Sequence, residues 1–133
     1  MTVRRMDNVL IVVEDIEAAK AFFAELGLRL EGQMHVEGPW VDRVVGLDNV
    51  RSEIAMMRMP DGHGGVELST FERPAPVRRE PADAPVNTLG IRRIMFAVDD
   101  LDDVVARLRA HGAELVGEIA QYEAAYRLCY VRG

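Results

Sequence analysis

An internal repeat constrains this chain more than any other feature. Residues 8–32, NVLIVVEDIEAAKAFFAELGLRLEG, lie over residues 93–117, RIMFAVDDLDDVVARLRAHGAELVG, without a gap. Val13, Asp15, Ala21, Gly27, Leu30 and Gly32 meet identical residues at Val98, Asp100, Ala106, Gly112, Leu115 and Gly117. Self-similarity of this kind marks two copies of one supersecondary unit, so the chain is read as a tandem pair.

The identities fall on structural positions. Asp15 and Asp100 stand where an N-cap accepts hydrogen bonds from the first free amides of a helix. Gly27 and Gly112 follow one helix-length later, where a left-handed C′ residue is wanted. Between them Ala19, Phe22, Phe23 and Leu26 in the first copy, and Leu101, Val104, Val105 and Leu108 in the second, recur at helical spacing, so each helix buries one stripe. The run ahead of each helix alternates like a strand, with Val9, Ile11 and Val13 set against Asn8, Leu10 and Val12, then Ile94, Phe96 and Val98 against Arg93, Met95 and Ala97.

Residues 28–36, 51–59 and 66–71 read as three further strands, and PDGHGG at 60–65 turns the last two into a hairpin. The first copy is therefore β-α-β-β-β. The second repeats the order with strands at 114–121 and 126–132, and its fourth strand is missing when the sequence reaches Gly133. Pro74, Pro76, Pro81 and Pro85 make residues 72–90 unfit for a helix or a central strand, so this stretch is an exposed linker. The expected organisation is one domain over residues 1–133, built from modules 6–71 and 91–133.

Composition agrees and excludes several functions. The 133 residues are 49% hydrophobic and 29% charged, the balance of one compact domain. A net charge of −6 argues against phosphate backbones as partners, so no nucleic acid is expected. The longest apolar run, residues 9–13, is far too short to cross a bilayer, and residues 1–8 lack the layout of a signal peptide. No membrane partner is expected, and the chain reads as cytoplasmic. Cys129 is the only cysteine and is read as a small buried hydrophobe. No nucleophile with its base is recognisable, and GHGG lies between two strands, without the helix amino terminus of a phosphate site.

Tandem β-α-β-β-β copies, each opening with a strand, an Asp cap and a helix that ends in Leu-Gly or His-Gly, resemble the vicinal oxygen chelate superfamily. Its members include glyoxalase I, methylmalonyl-CoA epimerase, extradiol dioxygenases, and bleomycin- and mitomycin-type resistance proteins. The resemblance implies an α+β fold whose mixed sheet curls into a cup around one small-molecule site, and a homodimer. It also implies that a module's last strand pairs beside its first, so the chain is expected to continue past Gly133.

Enzymes of that family hold a divalent metal through one ligand from the first strand and one from the last strand of each module. Carried over, these positions fall on Asn8, Glu67 and Arg93, with the fourth beyond Gly133. Arginine has no lone pair to give, and an amide is a poor substitute for imidazole, which leaves Glu67 as the one plausible ligand. The expectation is a protein without cofactor that binds a small organic molecule in the cup or a dimer cleft, by the logic of the resistance-type binding proteins. The alternative is a metal-dependent lyase, epimerase or dioxygenase using Glu67.

Arg93 and Glu67, at positions that converge in the family, are expected to pair, either as a cross-link between modules or as a device that orients a polar ligand. Trp40 and Met57, with Met56 and Met59, either line an adaptable pocket or pack the core. Tyr126 and Tyr130 fall on one strand face and either stack on a flat ligand or serve as ordinary strand residues. His63 reads as a turn residue, His111 as a complement to a helix dipole, and Asp99, Asp100, Asp102 and Asp103 as a cap with an acidic first turn. His35 faces either the cup or solvent.

Overall fold

The computed structural model describes residues 2–78, 81 and 83–133, with the backbone alone at Tyr122. The first module contains β1 (Val9–Val12), α1 (Ile16–Glu25), β2 (Arg29–Glu37), α2 (Pro39–Val45), β3 (Arg51–Arg58) and β4 (Gly65–Arg73). Its sheet has the order β1-β4-β3-β2, with β1 parallel to β4 and the other neighbours antiparallel. The result is an α+β fold with a curled mixed sheet, as the family resemblance implies.

Local chemistry sets the ends of α1. The Asp15 side chain accepts from the Ala18 amide at 3.0 Å, and the Gly27 amide donates to the Ala24 carbonyl at 2.9 Å from a left-handed conformation, φ +95°. One face of the sheet then closes on the helix. Leu28, Ala55, Met57, Val66 and Leu68 are buried there, and Ile11, Val13, Ile16, Ala19, Phe23 and Leu26 pack against them. Across the β3–β4 hairpin the Met59 amide donates to the Gly64 carbonyl at 3.0 Å, and Asp61 caps the His63 amide at 2.8 Å.

The helix α2 is not foreseen in the sequence reading. Pro39 starts it, Gly46 ends it at φ +73°, and Val41 anchors it in a second cluster with Val36 and Val50. Asp42 ties it to the turn just before β3, its two carboxylate oxygens accepting from the amides of Asn49 and Val50 at 3.0 and 2.9 Å.

In the second module α3 (Leu101–Ala110) forms as expected, with Asp100 accepting from the Asp103 amide at 3.1 Å and Gly112 at φ +90°. The strands differ from expectation. Residues 93–98 form no strand, and 114–121 and 126–132 break into β5 (Glu114–Leu115), β6 (Ala120–Tyr122), β7 (Tyr126–Leu128) and β8 (Val131–Arg132). β5 pairs with β8 and β6 with β7, both antiparallel. The reason is topological. In module one β1 takes its hydrogen bonds from β4, and among the described residues no strand of module two does the same for 93–98, β5 to β8 being paired with one another. Val104, Leu108 and Ala113 instead dock the module on Phe22 and Leu26 of module one, with Val98 and Val131 beside them.

Candidate functional site

Strand register defines the site. Leu10 and Met56 flank Glu67 as its partners in the two ladders, and Val12 and Ile54 flank Ser69 in the same way. Residues directly opposite one another share a face, and faces alternate along a strand. Glu67 therefore stands on the side of the sheet opposite α1, with Leu10, Val12, Ile54 and Met56, and β2 adds Gly32, Met34 and Val36. At these positions Glu67 is the one ionisable residue.

One end of this face is filled. Val36, Val41 and Val50 cluster with Ile54 and Phe71, and the Ser52 and Ser69 hydroxyls meet at 2.7 Å, with Ser52 also donating to the Thr70 carbonyl at 2.8 Å. The other end is open, with Leu10 at 51%, Val12 at 49% and Met34 at 54% exposure around the half-buried Glu67 and Met56. Glu67 makes no hydrogen bond and no ion pair among the described residues. The arrangement is an open, largely apolar sheet face with a single carboxylate acceptor on it, suited to a molecule that has an apolar body and an N–H or O–H donor.

Asn8 immediately precedes β1, two positions before the Leu10 that pairs with Glu67, so alternation puts Asn8 toward the same side of the sheet. Arg93 lies elsewhere. It sits exposed in the unpaired segment before α3, its guanidinium carbon 4.7 Å from the centroid of the Tyr130 ring. The expected Arg93–Glu67 pair is not made within the chain, because residues 93–98 do not join the sheet that carries Glu67.

Met57 faces the opposite way from Glu67 and is 3% exposed in the core under α1; its neighbour Met56 is the methionine on the open face. Trp40 is exposed on α2. Tyr126 belongs to β7, whereas Tyr130 falls between β7 and β8, so the break in the strand separates two residues expected to share a face. The residues that surround Glu67 but were not singled out are Leu10, Val12, Met34 and Ile54. Alternation within β1 places Leu10 and Val12 with Asn8; the register that joins them to Ile54 and Met34 is not readable from one strand.

The remaining polar candidates have structural partners. His111 Nε2 lies 3.3 Å from Glu25 at the end of α3, and Arg51 donates to His35 Nε2 at 3.2 Å on the sheet edge. Asp102 forms a two-point pair with Arg127, both contacts at 3.0 Å, which holds its carboxyl below the ordinary carboxylate range. Burial pushes the Cys129 thiol up, away from a reactive thiolate. A cleft of about 340 Å³ beside α2 is lined by Glu37, Asp42 and Arg73 among others. Its polar groups serve the fold: Asp42 caps two amides, and Arg73 donates to the Asn49 carbonyl at 3.0 Å.

The donor set at the Glu67 face does not fit the divalent metal of the family's enzymes. It offers one carboxylate and one nearby amide, Arg93 supplies no lone pair, and no group of three His, Cys, Asp or Glu among the described residues is placed to hold a metal ion.

Comparison with known proteins agrees with this fold. The chain is 55% identical to a glyoxalase family protein from Bacillus cereus whose crystal structure superposes with a TM-score of 0.95, over 100% of this chain and 89% of that one. It is 27% identical over 112 residues to the uncharacterized protein YaeR of Escherichia coli (strain K12), spanning 84% of this chain and 74% of YaeR. The crystal structure of SMU.1112c shares the fold at a TM-score of 0.56 and 19% identity, over 92% of this chain and 84% of that one. No helix among the described residues is long and apolar enough to cross a membrane. The sequence model of the Glyoxalase/Bleomycin resistance protein/Dioxygenase superfamily matches residues 7–130, and the chain belongs to that superfamily.

Proposed function

We propose that this protein binds a small organic molecule on the open end of the Glu67 face, without a catalytic metal. The observation that carries this reading is the half-buried Glu67 carboxylate, unpartnered among the described residues and flanked by Leu10 and Met56. A carboxylate on apolar surface loses hydration without recovering hydrogen bonds, so a ligand that donates to it gains from both its polar and its apolar contacts. The chemistry selects a neutral or cationic molecule, aromatic or polyoxygenated, with at least one N–H or O–H directed at Glu67. The net charge of −6 disfavours anions at long range.

A thermal-shift screen of such molecules tests the proposal. Hits are expected to raise the melting temperature of the wild type, and Glu67→Gln is expected to reduce that rise while leaving the unliganded melting temperature within a few degrees. No saturable shift with any compound, or shifts unchanged in Glu67→Gln, would remove the ligand-anchor role. Ni, Zn, Mn or Fe alone giving a saturable rise abolished by Glu67→Gln would replace the proposal with a metal-dependent enzyme.

A further inference from the structure

Leu10, Glu67, Met56 and Gly32 form one row across the sheet, one residue from each strand in the order β1-β4-β3-β2. Gly32 leaves a notch at the end of that row. It is half-buried, and a Cβ built on it meets nothing within 4 Å, so the space above it lies open on the Glu67 face. A β-bulge adjoins the notch: Leu30 pairs with Met57 and Gly32 with Met56, which leaves Glu31 as the extra residue, its two carboxylate oxygens accepting from Arg58 at 2.7 and 2.8 Å. Bulges bend the strand that carries them, and a strand glycine marks a place where another group can come close to backbone. Neighbouring strands stand about 4.8 Å apart, so the notch lies about 10 Å from Glu67, with Met56 between them and Met34 diagonal to Met56.

We infer, on the reading of Glu67 as the ligand anchor, that the bound molecule is a flat aromatic cation about two rings long, its amidinium or guanidinium head on Glu67 and its far ring seated over Gly32. The charge follows from the face. Glu67 is its single ionisable residue, without an ion pair among the described residues, in a chain of net charge −6. A planar head with two N–H groups meets both carboxylate oxygens at once. Flatness follows from Met56 and Gly32, because a thioether makes favourable contacts with aromatic rings and a residue without a side chain lets a ring lie against backbone. Length follows from the two strand spacings between the carboxylate and the notch.

Isothermal titration calorimetry on the full chain tests this with three probes: benzamidine, biphenyl-4-carboxamidine and biphenyl-4-carboxamide, which are a short cation, a long cation and its neutral isostere. The long cation is expected to bind the wild type at least about tenfold more tightly than benzamidine, because one more ring is buried. It is expected to exceed the amide by at least about tenfold, because the amide gives up the charge-assisted bonds. Gly32→Val fills the notch. The Gly32 backbone is not left-handed and valine suits a strand, so this variant is expected to keep the wild-type melting temperature by circular dichroism. It is expected to hold benzamidine within about twofold of the wild type, since the head binds a distant residue, and to lose the advantage of the long cation. Where Gly32→Val does not fold, Gly32→Ala gives a smaller form of the same split between the two amidines. Glu67→Gln is expected to weaken both amidines by at least about tenfold. Equal wild-type affinity for the two amidines, a long cation bound as tightly by a folded Gly32 variant as by the wild type, or no saturable heat with it would each overturn the inference. Amide and amidine bound equally, both weakened by Glu67→Gln, would overturn it while the ligand-anchor reading of Glu67 stands; binding of all three unchanged in Glu67→Gln would remove the anchor itself.

Discussion

Gly65 shows how closely two strands approach at one residue. A Cβ built there would lie 2.1 Å from the Met57 carbonyl oxygen and about as close to backbone as no real side chain sits, and backbone of an interior ladder cannot swing aside as a side-chain tip can. Gly65→Ala is expected to cost roughly 1–3 kcal/mol, the range for overpacking, measured as a lower urea midpoint with unchanged slope. A midpoint within error of the wild type would mean that the β3–β4 hairpin opens at this end without penalty. At the same scale the site was half legible. Alternation placed Asn8, Leu10 and Val12 on one face, and the family resemblance drew attention to Glu67, but Met57 in place of Met56 is a parity difference of one residue that only the register with Glu67 and Val66 resolves.

Among the elements, α1 and α3 were legible because caps and apolar spacing are local signals. What they do together was not. No basic residue lies in the last turn of α1; Arg107 of α3 supplies one, donating to the Glu25 carbonyl at 3.0 Å and to its carboxylate at 3.1 Å. A cation near the unsatisfied carbonyls of a helix end complements the dipole. His111 and Arg107 together hold the Glu25 carboxyl below its ordinary range. A carboxyl with a depressed folded-state pKa contributes stability that is present above its unfolded pKa of about 4.3 and is lost as pH falls through the folded value. The melting temperature is therefore expected to fall as pH drops from 5 toward 3, and Glu25→Gln is expected to lower it near pH 6 and to flatten its acid limb. Parallel acid limbs for the two proteins would show that the clasp between α1 and α3 contributes nothing through this charge. The missed helix α2 has only two turns, and its evidence is the flanking pair Gly38 and Gly46 with Pro39, punctuation that reads equally well as a loop.

Over the whole molecule the two copies of the repeat are unequal, although their sequences align without a gap. A strand segment specifies its own alternation, but a strand exists only when another backbone accepts its hydrogen bonds, and that partner is remote in sequence. Residues 9–12 find β4, whereas residues 93–98, with the same alternation, have no ladder partner among the described residues. The fold class was legible from the repeat; the unequal completion of its halves was not, since it depends on pairing. The difference predicts a gradient in amide hydrogen exchange. β3 and β4 are interior strands with Ala55 and Leu68 at 0% exposure, so their amides are expected to exchange only through openings close to global unfolding. The two-residue ladders of β5 and β8 should open more cheaply, and amides of 93–98 should exchange within a small factor of the unprotected rate. Protection at 93–98 equal to that of β3 would mean that this segment is held in a ladder in solution. Repeating the measurement over a dilution series would then show whether a second copy provides that ladder, because protection supplied between chains is lost on dilution and protection supplied within one chain is not.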